Sequence, residues 1–372
     1  MRKSMKYTSL VLTGMLAFGA LTGCGEAKID GTKTALEVDG EKIPMGVVSL
    51  LTRQEQAERE SMYAMYAMYF GADMSSDWDG AGTDEKKTKG EELRDSVVDT
   101  LKVMALSKEK AADYSIELTE EETKAIEEAA AAFMDANSEE ALAELAVSED
   151  DVKQYLELQT YSYKVRAAII KDAAVEVTPE EAQQSSFTYV QVPTTDDNGV
   201  ILVGDDLDAK KAEAEQIMEK MKEDPTADLG EVAASVNEAY TAQTGSFLTT
   251  ASEDEDLNTD NYSDELVNAL REVKEGELVP EVVESVYGYY IARLDKENDE
   301  EATAQKQESV KTAREQKAYT DLTNEWIEAA EIKVDTKALN AIKVTDSHKW
   351  NTEISQMEEV SESGNASESG NA

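Results

Sequence analysis

Apolar positions along the chain change their rhythm several times, and each change marks a boundary. Leu10 to Ala20 is an apolar run of 11 residues ending in small side chains, too short for a membrane span. Leu36-Glu37-Val38 and Ile43 flank Asp39-Gly40, a hairpin signal because Gly takes the positive φ that a tight turn needs. A mostly helical stretch then reaches about Asp172. Thr119 with Glu122, and Ser148 with Asp151, supply a hydroxyl and an acid three residues on, which predicts capped helix starts. Asp73 to Gly90 is polar and Gly-containing and reads as a loop. Thr178-Pro179-Glu180-Glu181 predicts a further helix start, with Pro where its missing N–H costs nothing.

Beyond that point Phe187 to Val192 alternates as a strand, and Asp208 to Glu223 places Ala214, Ile217, Met218 and Met221 on one helical face. Asp224-Pro225 ends that helix. Short helices follow near Leu229 to Val236 and Asp264 to Val273, and Tyr289 to Leu294 reads as a strand. This order describes a small α/β domain. Thr303 to Ala330 is helical again, with Tyr319, Leu322 and Trp326 spaced for one face, and Ile332-Lys333-Val334 is strand-like. The chain closes on Ser-Glu-Ser-Gly-Asn-Ala written twice, Ser361 to Ala372, which has no core-forming side chains and is expected to be disordered.

Composition narrows the chemistry. With 80 acidic against 36 basic residues the net charge is −44, which argues against nucleic acid, because phosphate binding needs clustered cations. One Cys and one His cannot build a zinc, haem or dithiol site. No cofactor and no metal is expected. At 372 residues and 41% hydrophobic, the chain has room for two or three globular domains.

The N-terminus bears on location. Arg2, Lys3 and Lys6 precede the apolar run, which fits a secretory signal. The run closes on Leu21-Thr22-Gly23-Cys24, which resembles the lipobox of bacterial lipoproteins. That resemblance implies that Cys24 is diacylated and becomes the mature N-terminus. The expectation is a cell-membrane protein, lipid-anchored on the extracytoplasmic face.

Several weak motifs occur in a specific order. They are Val38-Asp39-Gly40-Glu41-Lys42-Ile43, the helix Lys153 to Ala168 leading into Val177-Thr178-Pro179, then Gly245-Ser246-Phe247, Lys274-Glu275-Gly276-Glu277-Leu278-Val279 and Gly288-Tyr289-Tyr290-Ile291. Together they resemble the PrsA/SurA-type extracytoplasmic foldases, whose middle domain is a parvulin-like (PpiC-type) peptidyl-prolyl isomerase. The resemblance implies an α+β, multidomain fold: a helical SurA-N-like chaperone domain, an inserted parvulin-like α/β domain and a returning C-terminal helix. The implied division is a signal peptide over 1–23, a tether over 24–34, a helical chaperone region over 35–177, a parvulin-like domain over 178–298, a C-terminal helix and strand over 299–346 packing on the N-terminal region, and a disordered tail over 347–372. The implied partners are unfolded or partly folded exported proteins, with a homodimer as a further option.

Parvulins are thought to twist an imide in a dry apolar pocket floored by two histidines. Here the matching positions are Tyr189 and Tyr290, and the lone His348 lies far downstream. Phe247, Leu266 and Leu270 fall at the apolar wall, where plain core packing is the competing reading. A foldase with a degenerate isomerase site is therefore expected. The alternatives are an active peptidyl-prolyl cis-trans isomerase and, further off, a lipoprotein solute-binding protein. Met62, Tyr63, Met65, Tyr66, Met68 and Tyr69 form a triplet repeat of adaptable, amphipathic side chains, suited to client contact, dimer packing or a core. Asp254, Asp256, Asn258, Asp260 and Glu265 have calcium-loop spacing, but Thr259 stands where the sharp turn wants Gly.

Overall fold

The hairpin expected at Asp39-Gly40 forms, with both turn residues at positive φ, 46° and 92°. Gly40 meets no steric obstacle there, and the turn joins β1 (Thr34–Val38) to β2 (Glu41–Pro44). The structure, a computed structural model, describes residues 29–71, 76–196, 199–258 and 262–345. The signal segment with Cys24, the residue His348 and the repeat tail lie outside the described residues.

In chain order the elements continue as α1 (Met45–Phe70), α2 (Lys89–Lys110), α3 (Glu120–Ala136), α4 (Glu139–Leu145), α5 (Glu149–Ala173), β3 (Gln184–Val192), α6 (Asp205–Glu223), α7 (Leu229–Ala234), β4 (Ala242–Leu248), α8 (Asp264–Arg271), β5 (Val283–Ser285), β6 (Gly288–Lys296), α9 (Glu300–Ala329), β7 (Ile332–Val334) and α10 (Thr336–Leu339). The chain divides into two compact units. One runs to Ile169 and resumes at Tyr319, and the other is Ile170–Ala318, so the division falls inside α5 and inside α9.

In the first unit the two ends of the chain meet. The sheet order is β2-β1-β7, and Leu36 pairs with Val334, Glu37 with Lys333 and Val38 with Ile332. Pairs so distant in sequence carry a large loop-closure cost, and what offsets it is a continuous core. Leu36, Ile43, Val47 and Leu51 pack with Leu101, Phe133, Leu156 and, from the returning end, Leu339 and Ile342. Thr88 and Glu91 form a capping box at α2, as do Thr119 and Glu122 at α3. At α5 the Ser148 hydroxyl donates to the Asp151 carboxylate and accepts from its N–H.

Two local expectations are corrected. Residues 29–33, assigned to the tether, are held in place: Gly31 O accepts from Gly46 N at 2.9 Å, Lys33 O accepts from Met45 N at 2.8 Å, and Ile29 packs on the core. Thr178-Pro179 starts only one turn, with Glu181 N bonded to Thr178 Oγ1 at 3.2 Å, before the chain enters β3. The capping chemistry is present, but Ala182 and Gln184 are drawn into the buried layer of the second unit, which ends the turn.

The second unit is a four-stranded antiparallel sheet of order β4-β3-β6-β5. α6 and α7 cover one face and α8 the other. The first part of α9 belongs to this unit: Val310 packs with Leu248 and Leu257, and Thr303 Oγ1 accepts from Gln184 N at 2.9 Å.

Candidate functional site: the α8 face of the four-stranded sheet

Strand alternation sorts the side chains. In β3, Val190 and Val192 point to the α6 face and Phe187 and Tyr189 to the α8 face; in β6, Tyr290, Ala292 and Leu294 join the α8 face. The register sets Tyr189 opposite Ala292, Phe187 opposite Leu294 and Gly245, and Ser185 opposite Phe247. α8 starts on Ser263, whose hydroxyl accepts from Leu266 N, and it lays Leu266 and Leu270 over the strands. All five residues singled out in the sequence, Tyr189, Phe247, Leu266, Leu270 and Tyr290, thus come together in one cluster.

They fill it. Phe187 is central, with ring centroids 5.3 Å from Tyr189 and 5.7 Å from Phe247, and the Tyr189 and Tyr290 rings stand 5.8 Å apart. Tyr262 lies edge-on to Phe187 at 5.0 Å and to Tyr189 at 5.9 Å. Gly245 makes this approach feasible, because a Cβ there would run into the Tyr262 hydroxyl. The Tyr189 hydroxyl donates to Gln243 Oε1 at 2.7 Å. Burial, reinforced by the Tyr189 hydroxyl nearby, pushes the Tyr290 phenol up, so it stays a protonated donor.

Phe247, Leu266 and Leu270 are at most 1% exposed, and Tyr189 and Tyr290 only 8% and 7%. In this arrangement the apolar side chains cover one another. Both phenols have partners: the Tyr189 hydroxyl donates to Gln243, and the Tyr290 hydroxyl is hydrogen-bonded with Ser285.

Phe187 in the cluster, Tyr262 packed against it and Gln243 bonded to Tyr189 were not singled out from sequence. Phe187 was readable, because period-2 alternation puts it beside Tyr189. Tyr262 had a weaker signal: it directly precedes the Ser263 cap, the position of a hydrophobic staple. Gln243 carried none.

A family model described as Rotamase, the PPIC-type PPIase domain, matches residues 200–296. The Foldase protein PrsA of Clostridium botulinum (strain 657 / Type Ba4) is 25% identical over 360 residues, covering 91% of this chain and 100% of its own. The chain is a PrsA-foldase homologue with a PPIC-type domain. A second relative, Foldase protein PrsA of Clostridium botulinum (strain Langeland / NCTC 10281 / Type F), is 28% identical over 240 residues, covering 60% of this chain and 66% of its own. A crystal structure of the peptidylprolyl isomerase PrsA from Bacillus cereus superposes with TM-score 0.31 at 18% identity, covering 71% of this chain and 96% of that one. The SurA-like chaperones of Campylobacter jejuni give TM-score 0.26 at 12% identity, over 82% and 99%. The PPIC match begins after β3, yet β3 pairs with both β4 and β6 of the same sheet. Tyr189 therefore lies outside the matched residues, whereas Phe247, Leu266, Leu270 and Tyr290 lie inside.

The remaining candidates fall elsewhere. The acidic loop with calcium-like spacing meets a guanidinium: Arg314 of α9 reaches Asp254 at 2.8 Å, Asp256 at 3.7 Å and Glu181 at 2.8 Å. Those contacts supply positive charge to the first two carboxylates of the motif. Residues 259–261, which include Thr259 and Asp260, lie outside the described residues. Among the described residues no cluster of three or more His, Cys, Asp or Glu could hold a metal ion, and no helix is long and apolar enough to cross a membrane.

The Met/Tyr repeat occupies the last turns of α1, before a left-handed Gly71 cap at φ 64°. The early residues of this helix, Val47, Val48 and Leu51, are in the core, but Met68 is 74% and Tyr69 71% exposed. Met62, Met65 and Tyr66 are exposed as well, and Tyr63 is half-buried.

Proposed function

We propose that the chain is an extracytoplasmic foldase whose working activity is chaperone binding of unfolded exported proteins, with proline isomerisation lost from its PPIC-type domain. The relation to PrsA foldases over nearly the whole chain supports the role. One observation carries the choice between holding and isomerising: Met62, Met65, Tyr66, Met68 and Tyr69 are exposed on α1, while every parvulin-pocket candidate is buried. Unbranched Met and amphipathic Tyr adapt to varied apolar sequences without a fixed pocket. An isomerase, by contrast, must bind the twisted imide better than either planar form, against a rotation barrier of about 18–20 kcal/mol. That demands an open, dry pocket with free donors.

On the same reading the protein is attached to the membrane through acyl chains on Cys24, and two chains give firm anchoring. A Cys24→Ala change is expected to release it from the membrane fraction.

The deciding experiment measures suppression of aggregation of a chemically unfolded client and, in parallel, a proline-limited refolding rate. Stoichiometric protein should suppress aggregation, and catalytic amounts should leave the refolding rate unchanged. No suppression at equimolar protein would overturn the chaperone reading, and accelerated refolding would restore the isomerase.

A further inference from the structure

The second unit has an exposed apolar surface that neither the buried cluster nor the Met/Tyr helix accounts for. Val200, Ile201 and Val203, in the connection from β3 to α6, and Val286 and Tyr287, at the β5–β6 turn, are all exposed, Val203 at 75% and Val286 at 86%. The two groups leave the same end of the sheet from neighbouring strands. Val192 at the end of β3 pairs with Tyr289 at the start of β6, and Gln191 Nε2 donates to Tyr287 O.

The first group is held in shape. Thr195 bridges to Ile201, Leu202 N donates to Thr194 O at 2.8 Å, and Asp196 N donates to Val200 O at 2.9 Å. The apolar side chains therefore stand on two hydrogen-bonded arms, one ending at Asp196 and the other running from Val200. Exposed apolar side chains gathered at one end of a sheet are the kind of surface that serves in interactions.

The surrounding charge says what fits. Asp205, Asp206 and Asp208, in the first turn of α6, follow Val203 after the Gly204 cap and are exposed. Glu284 of β5 is exposed beside the second group, and its ion pair with Lys211 at 3.4 Å ties α6 to the β5–β6 turn. Lys210, the other nearby cation, is engaged by Glu213 and the Tyr240 hydroxyl. The rim thus has carboxylate character around an apolar centre, in a chain of net charge −44.

We propose that this end of the sheet docks unfolded client segments in which apolar residues are interspersed with Lys or Arg, giving the foldase a preference for cationic clients. Apolar side chains cover Ile201, Val203 and Tyr287, and the cations sit against the carboxylates of the α6 start. Steering by charge raises the encounter rate and makes binding depend on salt. The proposal rests on the foldase reading, and its test separates the two.

The test uses the full chain and two fluorescent peptides with the same apolar residues, one carrying Lys and the other Glu between them. The Lys peptide is expected to bind about tenfold tighter at low salt, with the difference shrinking as ionic strength rises. Ile201→Ser with Tyr287→Ser should weaken both peptides, whereas Asp205→Asn with Asp206→Asn should weaken only the Lys peptide. These positions are exposed, so circular dichroism should stay unchanged, and the loss of two acids from the first turn of α6 should lower Tm only slightly. Equal affinity for the two peptides, or affinity unmoved by the rim changes, overturns the proposal. If aggregation suppression persists in that case, the foldase reading stands. A dimer abolished by Ile201→Ser with Tyr287→Ser, without peptide binding, would assign the surface to a second copy and also overturn it.

Discussion

Two aromatic-rich regions of the chain behave in opposite ways. On the α8 face of the four-stranded sheet, Phe187, Tyr189, Phe247 and Tyr290 pack ring against ring and are almost wholly buried. At the end of α1, Tyr66 and, more fully, Tyr69 are exposed among exposed methionines. Residue type does not separate the two regions. Periodicity does: alternation in β3 and β6 delivers every second side chain to one face, where α8 seals it, whereas a three-residue repeat spreads around a helix and leaves part of it uncovered. Similar side chains form a core in one place and an exposed surface in the other.

The largest expected effect breaks the sheet side of this contrast. Phe187→Ala removes the ring that Tyr189, Phe247 and Tyr262 all touch, and should cost about 3–5 kcal/mol in chemical denaturation. A loss under 1 kcal/mol, with unchanged Tm, would mean that the cluster is a loose pocket and not a core.

Gly245→Ala probes the same face from the backbone. Its methyl group would collide with the Tyr262 hydroxyl, so a loss of roughly 1–3 kcal/mol is expected, as for overpacking. Recovery in the double variant with Tyr262→Ala would confirm the contact.

A charged anchor at the base of the sheet gives a pH signature. Asp299 caps α9, accepting from the N–H groups of Glu301 and Ala302 at 3.2 Å, and it pairs with Lys296 at 3.0 Å. The Lys296 ammonium, helped by Ser186 and the Ala302 N–H, holds its carboxyl down to about 2. The folded-state value lies below the unfolded one, so this stabilisation is present above the unfolded value of about 3.9 and is lost as pH falls through about 2. Asp299→Ala should therefore cost about 1 kcal/mol near neutrality. Urea titrations at descending pH should show the gap between wild type and variant closing only below the ordinary carboxylate range. A gap that is independent of pH would exclude the charge as its cause.

The smallest effect on stability, paired with a large one on function, is expected at α1. Met68→Ser with Tyr69→Ser should shift stability by no more than about 0.5 kcal/mol, yet remove most of the aggregation suppression. Suppression that survives unchanged would move client contact away from this helix.

Much of the architecture was legible locally. The Asp39-Gly40 turn, the Thr119 and Ser148 caps, the alternation of Phe187 to Val192 and the apolar face of α6 each rest on residues a few positions apart, where the physics of turns, caps and periodicity acts. β4 and the Thr88 capping box were not read as elements. The Thr178 cap was overestimated, because nothing within a few residues reveals that the chain is needed at once for a buried strand. The calcium-like spacing gave no warning of Arg314, about sixty residues away in sequence from Asp254.

The amino-acid order by itself determined most of the helices and strands, the acidity of the whole chain and the tyrosines at the two positions where the resemblance implies histidines, since these follow from neighbours and composition. Only the tertiary structure decided whether the substituted tyrosines would close the site or border it. That answer depends on Tyr262 reaching over Gly245, on Gln243 accepting the Tyr189 hydrogen bond and on α8 descending onto both strands. Long-range packing settles such contacts, because the free energy of burying a ring depends on what arrives from elsewhere in the chain to cover it.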